Sequence, residues 1–174
     1  MTMLLRDVSM RGTQAQDRVV AEPKSHKTLI NEKRDVVIAS CGGFPWDINL
    51  IQAHKAMEMA AQACTPGGTL VLLAQCADGL GRSDFLKWFE PPDARALELL
   101  LKTAYEVNGQ TAWSLRMKTE TFNVCLVSDL ADDLVRKMGM TPAHSLTEAL
   151  SEIDESASGF IMPRGAAILP VVEA

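Results

Sequence analysis

At 174 residues the chain has room for one ordinary domain with a real core and is short for two. Apolar residues at 47% and a mean hydropathy of +0.04 exclude a disordered chain, and no apolar run approaches the roughly 18 residues a membrane span needs. The net charge of −5 hides an asymmetry: residues 1–34 carry seven Lys/Arg against four Asp/Glu, residues 35–174 ten against eighteen. An acidic body argues against nucleic acid as the main partner.

Met1–Gly12 lacks a continuous apolar stretch and a cleavage site, so no secretory signal is read and a cytoplasmic location is expected. Cys41, Cys64, Cys76 and Cys125 form no CxxC pair, and no disulfide framework is expected in a chain of this kind. His26, His54 and His144 are far apart, with no HxH, HExxH or Cys/His cluster, so no self-contained metal site is expected.

In chain order, residues 1–34 show no sustained period and read as an arm or partial strand with loops. The domain is expected over 35–174. Asp35–Ser40 is a nearly continuous apolar run, the pattern of a strand covered on both faces. Gly42-Gly43 breaks it, and a helix is expected from an Asp47 cap to about Cys64. Thr65-Pro66-Gly67-Gly68 turns the chain into a second strand, Thr69–Gln75, which makes a right-handed βαβ unit. A second glycine loop, Cys76–Gly81, leads to short helices over Asp84–Phe89, Pro91–Glu106 and Gln110–Lys118. Phe122–Ser128 is the third strand, followed by helices at Leu130–Met138 and Ser145–Ile153. The latter opens on a capping box, Ser145 with Glu148. Gly159–Met162 is the fourth strand, and the apolar tail is expected to pack as an arm. The order describes a three-layer α/β domain, a mostly parallel sheet flanked by helices.

In such sheets ligands bind beyond the carboxyl ends of the strands. The loops there are Cys41–Asp47, Cys76–Arg82, Ser128-Asp129 and Pro163–Gly165, the last supplying Arg164. Neither glycine loop is a nucleotide fingerprint: GxGxxG and GxxxxGK[ST] are both absent. On the first helix, Gln52 and Lys55 lie about 60° apart and one turn offset, so their heads can converge on a carboxylate or phosphate. From spacing alone a solvated helix face is the better account of them. His54 shares that arc and reads as a surface histidine; Trp88 and Trp113 read as core or lid aromatics. No GxSxG elbow, Cys/His pair or two-histidine arrangement occurs, so complete chemistry within this chain is not expected.

Gly42, Gly43, Pro45, Asp47, Asn49, Gln52, Ala53 and Lys55, with Cys76, Asp78, Gly79 and Gly81 after the second strand, form a wider pattern. Together with the closing GAAILPV, it resembles the C-terminal domain of the nickel-pincer lactate racemase family over roughly residues 34–172. The resemblance implies an isomerase fold component acting on lactate or related small anionic 2-hydroxy acids. In such enzymes a nickel-pincer nucleotide takes the hydride from C2, and two histidines serve as acid and base. Those histidines and the cofactor attachment belong to the family's N-terminal domain, which these 174 residues do not contain. The implied partner is therefore that domain or a partner chain, with no cofactor bound by this chain alone. The implied substrate- and cofactor-facing residues are Gln52 and Lys55, with Trp113, Gly43 and Asn49 as further candidates. Many members carry a tyrosine where this chain has Ile51, a departure that bears on substrate choice. The rival reading is a non-catalytic binding or assembly module that keeps the fold and forms a stable homo-oligomer. A third is a binding domain for a small anionic ligand at the strand ends.

Overall fold

The computed structural model describes residues 6–9 and 18–19 as backbone, and residues 27–173 in full. Nine strands are described: β1 Arg6–Ser9, β2 Arg18–Val19, β3 Lys27–Ile30, β4 Arg34–Ser40, β5 Cys64–Leu73, β6 Asn123–Val127, β7 Thr141–Ala143, β8 Ser158–Met162 and β9 Leu169–Val172. The helices are α1 Leu50–Ala63, α2 Ala94–Thr103, α3 Gly109–Thr121, α4 Asp132–Lys137 and α5 Leu146–Leu150, with 3₁₀ turns at Phe85–Phe89 and Gly165–Ala167. The main sheet runs β2-β1-β8-β4-β5-β6-β7. Its five strands from β8 to β7 are parallel, and β1 adds to β8 antiparallel. The α/β class and parallel sheet expected from the sequence are what the chain forms.

Alternation along the strands builds two cores. Val37, Ala39, Leu70, Leu72, Val124, Leu126, Phe160 and Met162 face the helices α1 to α4, and with them form the larger core. Val36, Ile38, Val71 and Cys125 face the other side, which Ala149 and Leu150 of α5 help cover. The near-continuous apolar runs of the sequence reflect this double coverage.

Several boundaries differ from expectation. The 65–68 turn is absorbed into a register shift: Arg34 pairs with Cys64 but Val36 with Thr69, so the regular ladder of β5 begins at Thr69. The β7 edge strand went unread because it is three residues long and contains Pro142, tolerated only where no further strand needs its N–H. The helices expected over 91–106 and 145–153 are shorter, starting at caps Asp93 and Ser145. In the box at Ser145, Glu148 accepts from the N–H of His144, one residue before the cap. The tail does pack: β9 pairs in parallel with β3, and Glu173 N–H donates to the Ile30 carbonyl. Ile30 is fully buried there, so the packed body takes in residues from 27 onward.

Candidate functional site

The two glycine loops leave adjacent strand ends, and each organises the other. Trp46 N–H closes a turn on the Gly43 carbonyl at 2.8 Å. Cys76 N–H then donates to Asp47 O at 2.8 Å, and Asp78 N–H to Ile48 O at 2.7 Å. The second loop returns the favour at the start of α1. Leu50 N–H reaches the Gly79 carbonyl at 3.1 Å and Ile51 N–H the Leu80 carbonyl at 3.4 Å. Asn49 Oδ1 accepts from Gln52 N–H at 3.0 Å, so Asn49, not Asp47, caps the helix. The helix cannot begin earlier because the Asp47 and Ile48 carbonyls are already committed to the second loop. Asp47 instead turns its carboxylate toward Gln75 N–H.

The first three N–H groups of α1 are thus all satisfied internally, which leaves none of them to receive an anion. Recognition at this end falls to side chains. Asn49→Ala is expected to lower stability by about 1 kcal/mol, read as a shift in the urea unfolding midpoint.

Gln52 and Lys55 do converge: Lys55 Nζ donates to Gln52 Oε1 at 2.7 Å. Lys55 is exposed, Gln52 partly so, and no carboxylate of the described residues pairs with the ammonium. The amide oxygen therefore orients a free cation and leaves the Gln52 NH₂ group available to donate. This pair can hold an acceptor-only group such as a carboxylate or a phosphate.

The other candidates take different places. Gly43, at φ +82 with nothing near its missing Cβ, serves the turn. Asn49 is spent on the cap. Trp113 lies on α3, packed partly buried against the main core, and its indole N–H has no acceptor among the described residues. Trp88 is a core residue, 4% exposed. Two further aromatics, Phe44 and Trp46, stand 80% and 57% exposed on the first loop. The signal was available as two aromatics flanking Pro45 inside a glycine loop.

His54 sits half-buried on the flank of α1 toward α3, its Nδ1 against the Ile51 carbonyl. There Lys118 bridges Glu58 at 2.8 Å and Ser114 at 3.1 Å, tying α3 to α1. Burial lowers the His54 pKa below its ordinary 6.5, with Lys55 and Lys118 acting the same way and the Ile51 carbonyl and Glu58 opposing. The unfolded chain therefore binds this proton more strongly than the folded one. The stability contributed is complete above about pH 6.5 and is lost as pH falls through the folded value. Urea unfolding across that range should show a falling midpoint at low pH, and His54→Gln should flatten the fall.

A cleft of about 400 Å³ opens beyond the ends of β4, β5 and β6, lined by Gly43, Asp47, Gln75, Ser128, Asp129 and His144 among others. The Cys41 and Cys76 thiols lie in the main core, both pushed up to about 12, chiefly by burial, then Cys41 by Cys76 and Cys76 by Asp47. Burial favours the thiol form of both, which is the less nucleophilic and less metal-binding form. Among the described residues no group of three or more His, Cys, Asp or Glu could hold a metal ion. No described helix is long and apolar enough to cross a membrane.

Comparison with known proteins fits this arrangement. The family described as "Lactate racemase C-terminal domain" matches residues 29–169. The lactate racemase of Thermoanaerobacterium thermosaccharolyticum is 31% identical over 158 residues, which is 83% of this chain and 37% of that protein. The lactate racemase of Lactiplantibacillus plantarum is 28% identical over 78% of this chain and 34% of its own length. The chain thus spans about a third of the length of these relatives. Among solved structures, the lactate racemase apoprotein from T. thermosaccharolyticum superposes with a TM-score of 0.75 at 29% identity, over 83% of this chain and 37% of that one. A Thermotoga maritima protein shares the fold alone, at a TM-score of 0.57 and 16% identity over 85% of this chain and 39% of its own. With the family match at residues 29–169 covering most of its length, the chain belongs to the lactate racemase C-terminal domain family.

Proposed function

We propose that this chain is the lid and substrate-binding domain of a lactate-racemase-like isomerase acting on small 2-hydroxy acids. The observation that carries the reading is the Lys55–Gln52 pair, 2.7 Å apart, at the strand-end edge where the family motif lies. Lys55 pairs with the substrate carboxylate or a cofactor phosphate, and the Gln52 amide donates to the same ligand.

The family's nickel-pincer nucleotide supplies reversible hydride acceptance at C2. The residues here fit its anionic end, through Lys55, and not its metal: no nickel-ligand set exists among the described residues. Metal and acid–base groups therefore belong to an N-terminal catalytic half, in the same or a partner chain. The role of this domain is to bind, orient and exclude water from above. Binding is tested by NMR titration of the chain with lactate: amide shifts around residues 49–56 are expected, and none in the Lys55→Met variant. Shifts confined to other residues would remove the reading.

A second reading, a non-catalytic assembly module, is favoured by one observation. Leu99, Leu100, Tyr105 and Val107, at the end of α2 and just beyond, are 55%, 41%, 62% and 65% exposed. Sedimentation equilibrium separates the two: this reading requires a stable oligomer whose assembly is abolished by Leu99→Glu.

A further inference from the structure

The proposed ligand pair leaves one strand-end cation unused. Arg164 follows β8, exposed, at the same edge of the sheet as the start of α1. Its aliphatic stem lies across Gly42: a Cβ at that glycine would meet Arg164 Cγ at 3.3 Å, and its Cβ and Cδ at 3.9 Å. Gly42 also has φ +95, so the position both requires glycine and clears a path for the arginine.

The next residue fixes where Arg164 stands relative to α1. Gly165 is buried, and a Cβ there would lie 3.0 Å from Ala56 Cβ and 3.3 Å from Ala39 Cβ. Ala56 is one turn beyond Gln52. At about 100° per residue, Gln52 points between Lys55, about 60° to one side, and Ala56, about 40° to the other. Around the helix the order is Lys55, then Gln52, then the segment that carries Arg164. The segment that carries Arg164 thus lies on the side of Gln52 away from Lys55.

Neither cation is neutralised by a carboxylate of the described residues. Arg82, Lys87 and Lys118, on neighbouring elements, each pair with a carboxylate. Lys55 and Arg164 have no such partner among the described residues. One carboxylate satisfies Lys55 with Gln52, while a guanidinium is built to take a carboxylate of its own through two parallel N–H bonds.

We propose that Arg164 binds a second acidic group of the ligand, so that the substrate class is a 2-hydroxy dicarboxylate rather than a 2-hydroxy monocarboxylate. This rests on Lys55 and Gln52 being the ligand pair. The test is an NMR titration of the full chain with lactate and with malate, repeated on Arg164→Gln and Lys55→Met. Malate should bind about fivefold more tightly than lactate, as an exposed charge pair worth roughly 1 kcal/mol allows. Arg164→Gln should weaken malate about five times more than lactate, and Gly42→Ala, which displaces the arginine stem, should act in the same direction.

Malate binding no tighter than lactate, or an advantage that survives Arg164→Gln, overturns the proposal while leaving the lysine–glutamine pair intact. A malate advantage lost in Arg164→Gln, with neither acid affected by Lys55→Met, keeps Arg164 and removes Lys55. No shift with either acid overturns both.

Discussion

On the reading proposed above, this chain mixed with a cofactor-loaded N-terminal half is expected to interconvert the stereoisomers of lactate, the weaker-binding acid, and Lys55→Ala to cut that rate about a hundredfold. The magnitude follows from hydrogen bonds to charged groups, worth roughly 1.5–3 kcal/mol each. Lys55 is a cation whose only described partner is the Gln52 amide, so its removal withdraws the full pairing from the ligand. Gln52→Ala should cost less, about tenfold, because the ammonium remains but loses the acceptor that orients it. Optical rotation of lactate with time gives both numbers. A rate indifferent to Lys55→Ala would sink the assignment of that residue, whatever the activity of the mixture.

Gly81→Ala is expected to be the most damaging single-methyl change near the site, lowering stability by about 2–4 kcal/mol. Two costs combine. Gly81 has φ +88, a conformation that alanine adopts only under strain. Its new Cβ would stand 2.7 Å from Asn49 Cγ and 2.8 Å from Asn49 Oδ1. That side chain is short and cannot swing aside without giving up its bond to Gln52 N–H, the cap of α1. The loss should therefore exceed that of Asn49→Ala and should also loosen ligand binding, because Gln52 and Lys55 ride on the first turns of the same helix. Urea unfolding gives the first effect and a lactate titration the second. A variant as stable as the parent would show that the loop gives way around the new methyl group.

The interlocking of the two loops gives many of the motif positions a structural task. Asp47, Asn49, Asp78, Gly79 and Gly81 all lie in the family pattern, yet here they serve each other and the start of α1. Asn49 and Asp47 cap and tether, Asp78 and Gly79 contribute backbone, and Gly81 makes room for the cap. The pattern is mostly a device for presenting one helix end at a fixed angle. Within it, Gln52 and Lys55 keep side-chain capacity directed outward, as does the exposed carboxylate of Asp78.

How much of this was legible in the chain follows from the physics of each feature. Buried parallel strands announce themselves because both faces must be apolar, so Asp35–Ser40, Thr69–Gln75 and Phe122–Ser128 were readable as sheet, and the α/β class with them. The convergence of Gln52 and Lys55 was also readable, since helical spacing is local and independent of the rest of the fold. Tertiary structure decided the rest. The cap moved from Asp47 to Asn49 because a loop some thirty residues away claims the intervening carbonyls, a competition that local propensity does not contain. The pairing of β3 with β9 joins segments separated by almost the whole domain, and β7 owes its strand to a neighbour rather than to its own three residues. Arg164 could be named from sequence as a strand-end residue, but its placement across Gly42 at the flank of α1 depends on Gly165 packing against Ala56 and on the bare backbone of Gly42. Local spacing fixed which side chains share a helix face; only long-range packing determined what stands on either side of it.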